Sequence, residues 1–360
     1  MNRLISLICA ALLCLAAPAL GAQEILGTRT LSRDADGWYC HNVVLTHFKG
    51  KFYAQWQCSD RDEDAPDTRI YYCTSRNGRR WSRPRQLEVA LADSVKFISN
   101  GGWWAYGDSL TCFVNVTALD GGRSCLYMKS RDGRRWTSPR PVTGADGAPV
   151  QGIIEQDLKC LPDGRVLTAF HMGNAMICTP YYTDDPEAVS GWTAGSMPHH
   201  PYPGKGTSRE IEPSWFIDSD GSIVMIFRDQ AGSHRKLFSR SRDRGETWTL
   251  PQISGIEDSR SKQSAGNLSD GRAFMVWNPS QSKERMPLAL AISNGGDCST
   301  NDGWVRYIIR TEEELPERHH DGLYKRRGYS YPKTFVWGDT LLVGYAVNKE
   351  DAVVTLVRIR

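Results

Sequence analysis

Ser75-Arg-Asn-Gly-Arg-Arg-Trp81, Ser130-Arg-Asp-Gly-Arg-Arg-Trp136 and Ser241-Arg-Asp-Arg-Gly-Glu-Thr-Trp248 are three copies of one motif. Each runs from Ser through Asp or Asn and Gly to Trp. A short side-chain oxygen can accept hydrogen bonds from the backbone just after it, and glycine takes the left-handed turn that follows. The Trp then tucks under the adjoining strand. The copies start 55 and 111 residues apart, one period and close to two. A degenerate copy therefore belongs near residue 185, where Thr183-Asp-Asp-Pro-Glu-Ala-Val-Ser-Gly-Trp192 stands. Another belongs near 295, where Ser293-Asn-Gly-Gly-Asp leads to Gly303-Trp304, and Asn348-Lys-Glu-Asp351 reads as the last.

A second marker has the same period. Strand-like runs are split by a turn glycine at Gly50, Gly107, Gly164, Gly221, Gly271 and Gly338, as in Ser222-Ile-Val-Met-Ile-Phe227 after Gly221. Helical periodicity is nearly absent. Short strands at even spacing, with one turn motif per repeat, predict an all-β fold: a single β-propeller of six four-stranded blades. Seven is the alternative if Glu24–Arg33 adds strands of its own. The propeller occupies residues 22–360 as one catalytic domain.

Before it, Met1-Asn2-Arg3, the apolar run Leu4–Leu15 and Ala19-Leu20-Gly21 have the form of a cleavable signal peptide over residues 1–21. The expectation is a secreted or periplasmic protein without a membrane span. The chain carries 44 Lys and Arg against 41 Asp and Glu, a net charge of +3, which gives no argument for nucleic acid. Two of the ten cysteines fall in the signal segment. Cys40 and Cys58 flank Gly50 almost symmetrically, so a disulfide or a close pair is expected there, with Cys112 and Cys125 as a second candidate.

A propeller binds ligands at one mouth of its channel, where each innermost strand begins and the second strand returns. Counting from the turn glycines finds those ends. Nine residues before each stand His41, Ile98, Glu155, Glu212, Lys262 and Tyr329; seven after stand Gln57, Val114, His171, Arg228, Asn278 and Tyr345. Ten of the twelve are polar or titratable, in strands otherwise apolar, and groups of that kind need partners when buried. They converge either on a ligand or on one another as a hydrogen-bonded plug. Arg228 and Lys262 suit a carboxylate, His41 or Tyr329 a proton transfer, and Glu155 and Glu212 sugar hydroxyls or acid–base work. The pairs His199-His200 and His319-His320 read as loop residues without metal-ligand spacing. No metal or cofactor is required; a structural calcium at the acidic turn Asp62-Glu63-Asp64 is the one metal reading open.

The repeats are Asp boxes, and with the blade period the chain resembles the sialidase superfamily. Several stretches are similar to bacterial propeller enzymes acting on rhamnosyl-glucuronate linkages and to ulvan lyases. These are Gly101-Gly-Trp-Trp104, Glu212-Pro-Ser-Trp215, Ser261-Lys-Gln-Ser-Ala-Gly-Asn267 and Gly328-Tyr-Ser-Tyr-Pro332. The resemblance implies a catalytic histidine opening the first blade, here His41. Taken with the counted mouth positions, catalysis is expected of His41, Tyr329 and Arg228. Substrate binding falls to Gln57, Glu155, His171, Glu212, Lys262, Asn278, Tyr331 and Tyr345. Sialidases carry an Arg-Ile-Pro motif that this chain lacks. Tyr329 or Tyr331 with a glutamate would match their nucleophile pair.

The leading expectation is a secreted enzyme that cleaves a terminal bond beside an acidic sugar by β-elimination, with an acidic oligo- or polysaccharide as partner. One alternative is a sialidase- or rhamnosidase-like exo-glycosidase. The other is a non-catalytic glycan-binding propeller.

Overall fold

The computed structural model describes residues 23–33, 37–202 and 206–359. The expected signal peptide, residues 1–21, lies outside the described residues. Six antiparallel sheets follow one another along the chain. The first blade is β2 (Tyr39–Phe48), β3 (Lys51–Ser59), β4 (Arg69–Ser75) and β5 (Arg85–Gln86). The second is β6 (Val95–Tyr106), β7 (Ser109–Ala118), β8 (Arg123–Ser130) and β9 (Arg140–Pro141). The third holds β10 (Gly152–Ile154), β11 (Lys159–Cys160), β12 (Val166–Met172), β13 (Ile177–Thr183) and β14 (Thr193–Ala194). Here β10 and β11 are two pieces of one inner strand, since both pair with β12.

The fourth blade is β15 (Glu210–Ile217), β16 (Ile223–Asp229), β17 (Arg235–Ser241) and β18 (Gln252–Glu257). The fifth is β19 (Ser264–Asn267), β20 (Ala273–Trp277), β21 (Leu288–Ser293) and β22 (Trp304–Arg310). The sixth takes β23 (Tyr329–Trp337), β24 (Thr340–Val347) and β25 (Asp351–Arg358) from the end of the chain, and β1 (Glu24–Thr30) from its beginning. Glu24–Thr30 is thus the outer strand of the sixth blade and not part of a seventh. Its pairing with β25 closes the ring by joining the two ends of the chain in one blade.

The turn glycines join first strands to second, all at positive φ from 53° to 95°. The Ser-Asp-Gly-Trp motifs join third strands to fourth. Asp132 Oδ1 accepts the Arg134 and Arg135 N–H groups at 2.9 Å each, and Asn77 does the same for Arg79 and Arg80 at 3.0 Å. Trp81, Trp136 and Trp248 follow these turns in the first, second and fourth blades; Trp81 and Trp248 donate from Nε1 to Gly78 O and Gly245 O. The degenerate copies behave alike: Trp192 donates to Ala188 O and Trp304 to Cys298 O. Asn348–Asp351 is different. Asn348 and Lys349, both left-handed (φ 52° and 57°), make the hairpin between β24 and β25. The third strand of the last blade needs no onward turn, because its outer neighbour comes from the other end of the chain.

Apolar clusters fill each blade and the spaces between blades. Cys40 and Cys58 face each other as direct partners of β2 and β3, both fully buried. Cys125 stands opposite Asn115 and Cys112 opposite Met128, so the second cysteine pair is out of register. No helix among the described residues is long and apolar enough to cross a membrane.

Candidate active site

The inner strands do not run smoothly into the mouth. Register shifts interrupt β2 between His41 and Val44, β6 between Asn100 and Gly102, β15 between Ile211 and Ser214, and β23 between Ser330 and Lys333. These are β-bulges, which re-aim side chains where they occur. Asn42, Glu212 and Tyr331 at three of them, and Gln156 in the break between β10 and β11, take left-handed backbone (φ 57°, 52°, 54° and 60°). All four line a cavity of about 400 Å³ at the mouth.

The bulges leave backbone groups without ladder partners, and neighbouring blades supply them. Gln55 Oε1 accepts Gly102 N–H at 2.8 Å and Gln57 Oε1 accepts Asn100 N–H at 3.3 Å. Asn115 holds Ile154 N–H at 2.9 Å. His171 Nε2 accepts Glu212 N–H at 3.2 Å, while Gln263 donates to Glu212 O at 2.9 Å. Asn278 Nδ2 donates to Tyr329 O at 3.1 Å. Gln57, His171 and Asn278 therefore staple the first blade to the second, the third to the fourth and the fifth to the sixth. Of these three only Gln57 also lines the cavity.

Two of the counted tyrosines point elsewhere. Tyr329 and Tyr345 belong to the apolar cluster between the fifth and sixth blades, with ring centroids 5.7 Å apart. Their hydroxyls are engaged there, Tyr329 with Thr311 O and Tyr345 with Thr355 Oγ1, each at 2.8 Å. The bulge of β23 lies two residues past Tyr329, so Tyr331 enters the cavity in its place. His41 is fully buried and outside the cavity wall, its ring centroid 4.2 Å from that of Tyr331. Burial, together with Lys349, Arg285 and Lys262, pushes its pKa well below the usual imidazole value. The neutral ring lies behind Tyr331.

At the centre, Tyr331 donates its hydroxyl to Glu212 Oε1. Arg228 Nη1 donates to Glu212 Oε2 at 3.0 Å and to Tyr331 Oη at 3.1 Å. Burial opposes ionisation of Glu212, but Arg228 and Lys262 outweigh it and hold the carboxyl near 2. Burial, then the Glu212 charge, pushes the Tyr331 hydroxyl well above its ordinary value. Lys262, Arg285 and Lys349 surround that ring at 4.8–5.6 Å.

Beside this group, Lys262 Nζ binds Glu155 Oε2 at 2.5 Å and Gln156 Oε1 at 2.7 Å, and His171 Nδ1 lies 2.7 Å from Glu155 Oε1. Glu155 is ionised despite its burial, because His171 and Lys262 lower its pKa. Farther along the channel, Lys333 donates to Glu155 O at 3.2 Å and pairs with Asp157. This buried network is the plug between the mouth and the rest of the channel.

Counting from glycines missed the loop residues of the wall: Glu63, Asp64, Arg260, Lys283, Arg285, Tyr324, Arg326 and Lys349. Asp64 stands at the rim. Loss of hydration within the wall and the neighbouring Glu63 charge push it up to about 6, against the pull of Lys349, Arg123 and Lys96. Glu63 pairs with Lys349, and Asp62 accepts Leu323 N–H at 2.7 Å. Among the described residues no group of three or more His, Cys, Asp or Glu is arranged to hold a metal ion. His199 pairs with Glu210 and His320 stacks on Trp38.

A model of the BNR repeat-like domain matches residues 50–343. The chain belongs to the BNR repeat-like family. No curated protein sequence matches it. Solved structures share the fold of this BNR repeat-like propeller at low identity. A protein of unknown function from Dyadobacter fermentans is 14% identical with a TM-score of 0.71, over 94% of this chain and 100% of that one. A Hadza microbial sialidase is 13% identical with a TM-score of 0.65, over 91% and 67%. The intramolecular trans-sialidase from Ruminococcus gnavus, in complex with oseltamivir carboxylate, is 12% identical with a TM-score of 0.62, over 92% and 96%. The BNR repeat-like propeller thus shares its architecture with sialidases.

Proposed function

We propose that the protein is an exo-acting glycosidase that removes an acidic sugar from the end of a glycan, with Tyr331 as nucleophile. The contact of Tyr331 with Glu212 and Arg228, at the base of a cationic cavity, carries this reading. The likeness of the propeller to sialidases agrees with it.

Each residue then has a role. The sugar carboxylate binds Arg228 and Arg285. That anion takes up part of the Arg228 charge, so the pKa of Glu212 rises and it becomes a better proton acceptor. Tyr331 Oη attacks the anomeric carbon as its proton passes to Glu212. The bond to the leaving oxygen breaks, and Asp64 donates a proton to that oxygen. Water then attacks the same carbon and gives its proton to Asp64, and the Tyr331 oxygen departs and recovers its proton from Glu212. A phenol, neutral until it reacts, approaches a carbon beside a carboxylate with less repulsion than an ionised side chain would.

Elimination is the second reading, favoured by the cations around Tyr331. They would stabilise a phenolate able to take the C5 proton of a uronate, such as a rhamnosyl-glucuronate end, while another cation neutralises its carboxylate. In that version Tyr331 replaces His41, which is fully buried. Residues 1–21 support action outside the cytoplasm. A panel of terminal sialosides, uronides and rhamnosyl-glucuronates, digested in ¹⁸O-labelled water, tests both readings. Hydrolysis puts label at the cleaved bond; elimination gives an unsaturated product without it.

A further inference from the structure

Three of the cavity's carboxylates are matched by three cations: Glu212 with Arg228, Glu155 with Lys262, and Glu63 with Lys349. Asp64 is the remaining acid of the wall. Four further cations line the same cavity: Arg260, Lys283, Arg285 and Arg326. Among the described residues none of the four has a carboxylate within ion-pair distance. Arg285 is 5% exposed, yet its Nη1 has no hydrogen-bond partner. Arg260 and Arg326 each give one bond to a backbone carbonyl, Gln230 O at 2.6 Å and Lys325 O at 3.0 Å.

Like charges crowded in a partly enclosed site repel one another unless a counter-charge arrives with the ligand. One sugar carboxylate on Arg228 and Arg285 leaves Arg260, Lys283 and Arg326 uncompensated. These three come from the link into the fifth blade, the β20–β21 loop of that blade and its link to the sixth, and Lys283 and Arg326 are exposed at the rim. A group bound there belongs to the next residue of the glycan and not to the terminal sugar.

We propose that Arg260, Lys283 and Arg326 form a second anion site, which binds a sulfate ester or carboxylate on the sugar adjoining the scissile bond. The inference rests on the acidic-glycan reading above and narrows its substrate to glycans with acidic groups on two neighbouring residues.

Calorimetric titration with uronyl-hexosamine disaccharides tests it. The unsulfated form, sulfated forms and a diuronate differ only in the second group. The wild type should bind a dianionic form about tenfold or more tighter than the monoanion at low ionic strength, and less so as salt screens the site. The preferred dianion distinguishes sulfate from carboxylate. Lys283→Met with Arg326→Met should remove most of that advantage while leaving affinity for the monoanion within about twofold. Equal wild-type binding of mono- and dianions, or equal losses for both in the variant, would overturn this inference alone. Failure of every disaccharide to bind at millimolar concentration would overturn the acidic-glycan reading with it.

Discussion

Tyr331 and Glu212, 119 residues apart in sequence, meet across the channel through a single hydrogen bond from phenol to carboxylate. Both sit on β-bulges with left-handed backbone, in the sixth and fourth blades. Neither would reach the other from a regular strand, where side chains alternate strictly between faces. The contact depends on two local departures from regular pairing.

Tyr331→Phe should lower turnover by about 10³-fold or more, since it removes the nucleophile and leaves the ring contacts in place. Steady-state kinetics with a circular-dichroism control checks this. A tenfold loss or less would remove Tyr331 from the covalent step.

Arg228→Met should raise KM for an acidic sugar by about ten- to a hundredfold, the weight of a charge-assisted hydrogen bond. It should also raise the pKa of Glu212 from near 2, because burial then acts with one cation fewer. Unchanged KM would exclude Arg228 as the carboxylate holder.

Asp64 must be protonated to act as the acid, and its carboxyl titrates near 6. Turnover should therefore fall about tenfold per pH unit as pH rises past that value. Asp64→Asn should abolish this limb and cost about 10²–10⁴-fold on natural glycosides. Nitrophenyl glycosides, whose leaving group needs no proton, should lose far less. Equal losses on both would assign the acid elsewhere.

His41→Ala should destabilise the fold by about 2–4 kcal/mol, as for other large buried rings cut to Ala. Its loss of turnover should be smaller than that of Tyr331→Phe. A normal melting temperature with turnover reduced 10³-fold would return His41 to the chemistry.

The blades were legible in the sequence because a left-handed turn glycine and an Asp-box Trp each answer to local backbone rules. The site was legible only in part. Glu155, Glu212, Arg228 and Lys262 lie where counting from the glycines puts them, at the cavity wall. Tyr329 does not, because the β23–β24 turn is shorter than the β15–β16 turn, so the same count from the glycine runs past the bulge residue Tyr331. Pro213 and Pro332 signal two of the bulges, since proline inside a strand is tolerated mainly at an edge or a bulge. Asp64, Arg285 and Lys349 stand in loops and hairpins that no strand periodicity reaches. Lys349 was further obscured because its hairpin resembles an Asp-box turn.

Every role proposed for the cavity residues depends on hydrolysis at Tyr331. Digestion of the best-cleaved acidic glycan in ¹⁸O-labelled water, by the wild type and by Tyr331→Phe, tests it most directly. Hydrolysis puts one labelled oxygen on the released sugar and gives no new ultraviolet absorbance, and the variant forms almost no product. An unlabelled, ultraviolet-absorbing uronate, or full activity of Tyr331→Phe, would contradict it.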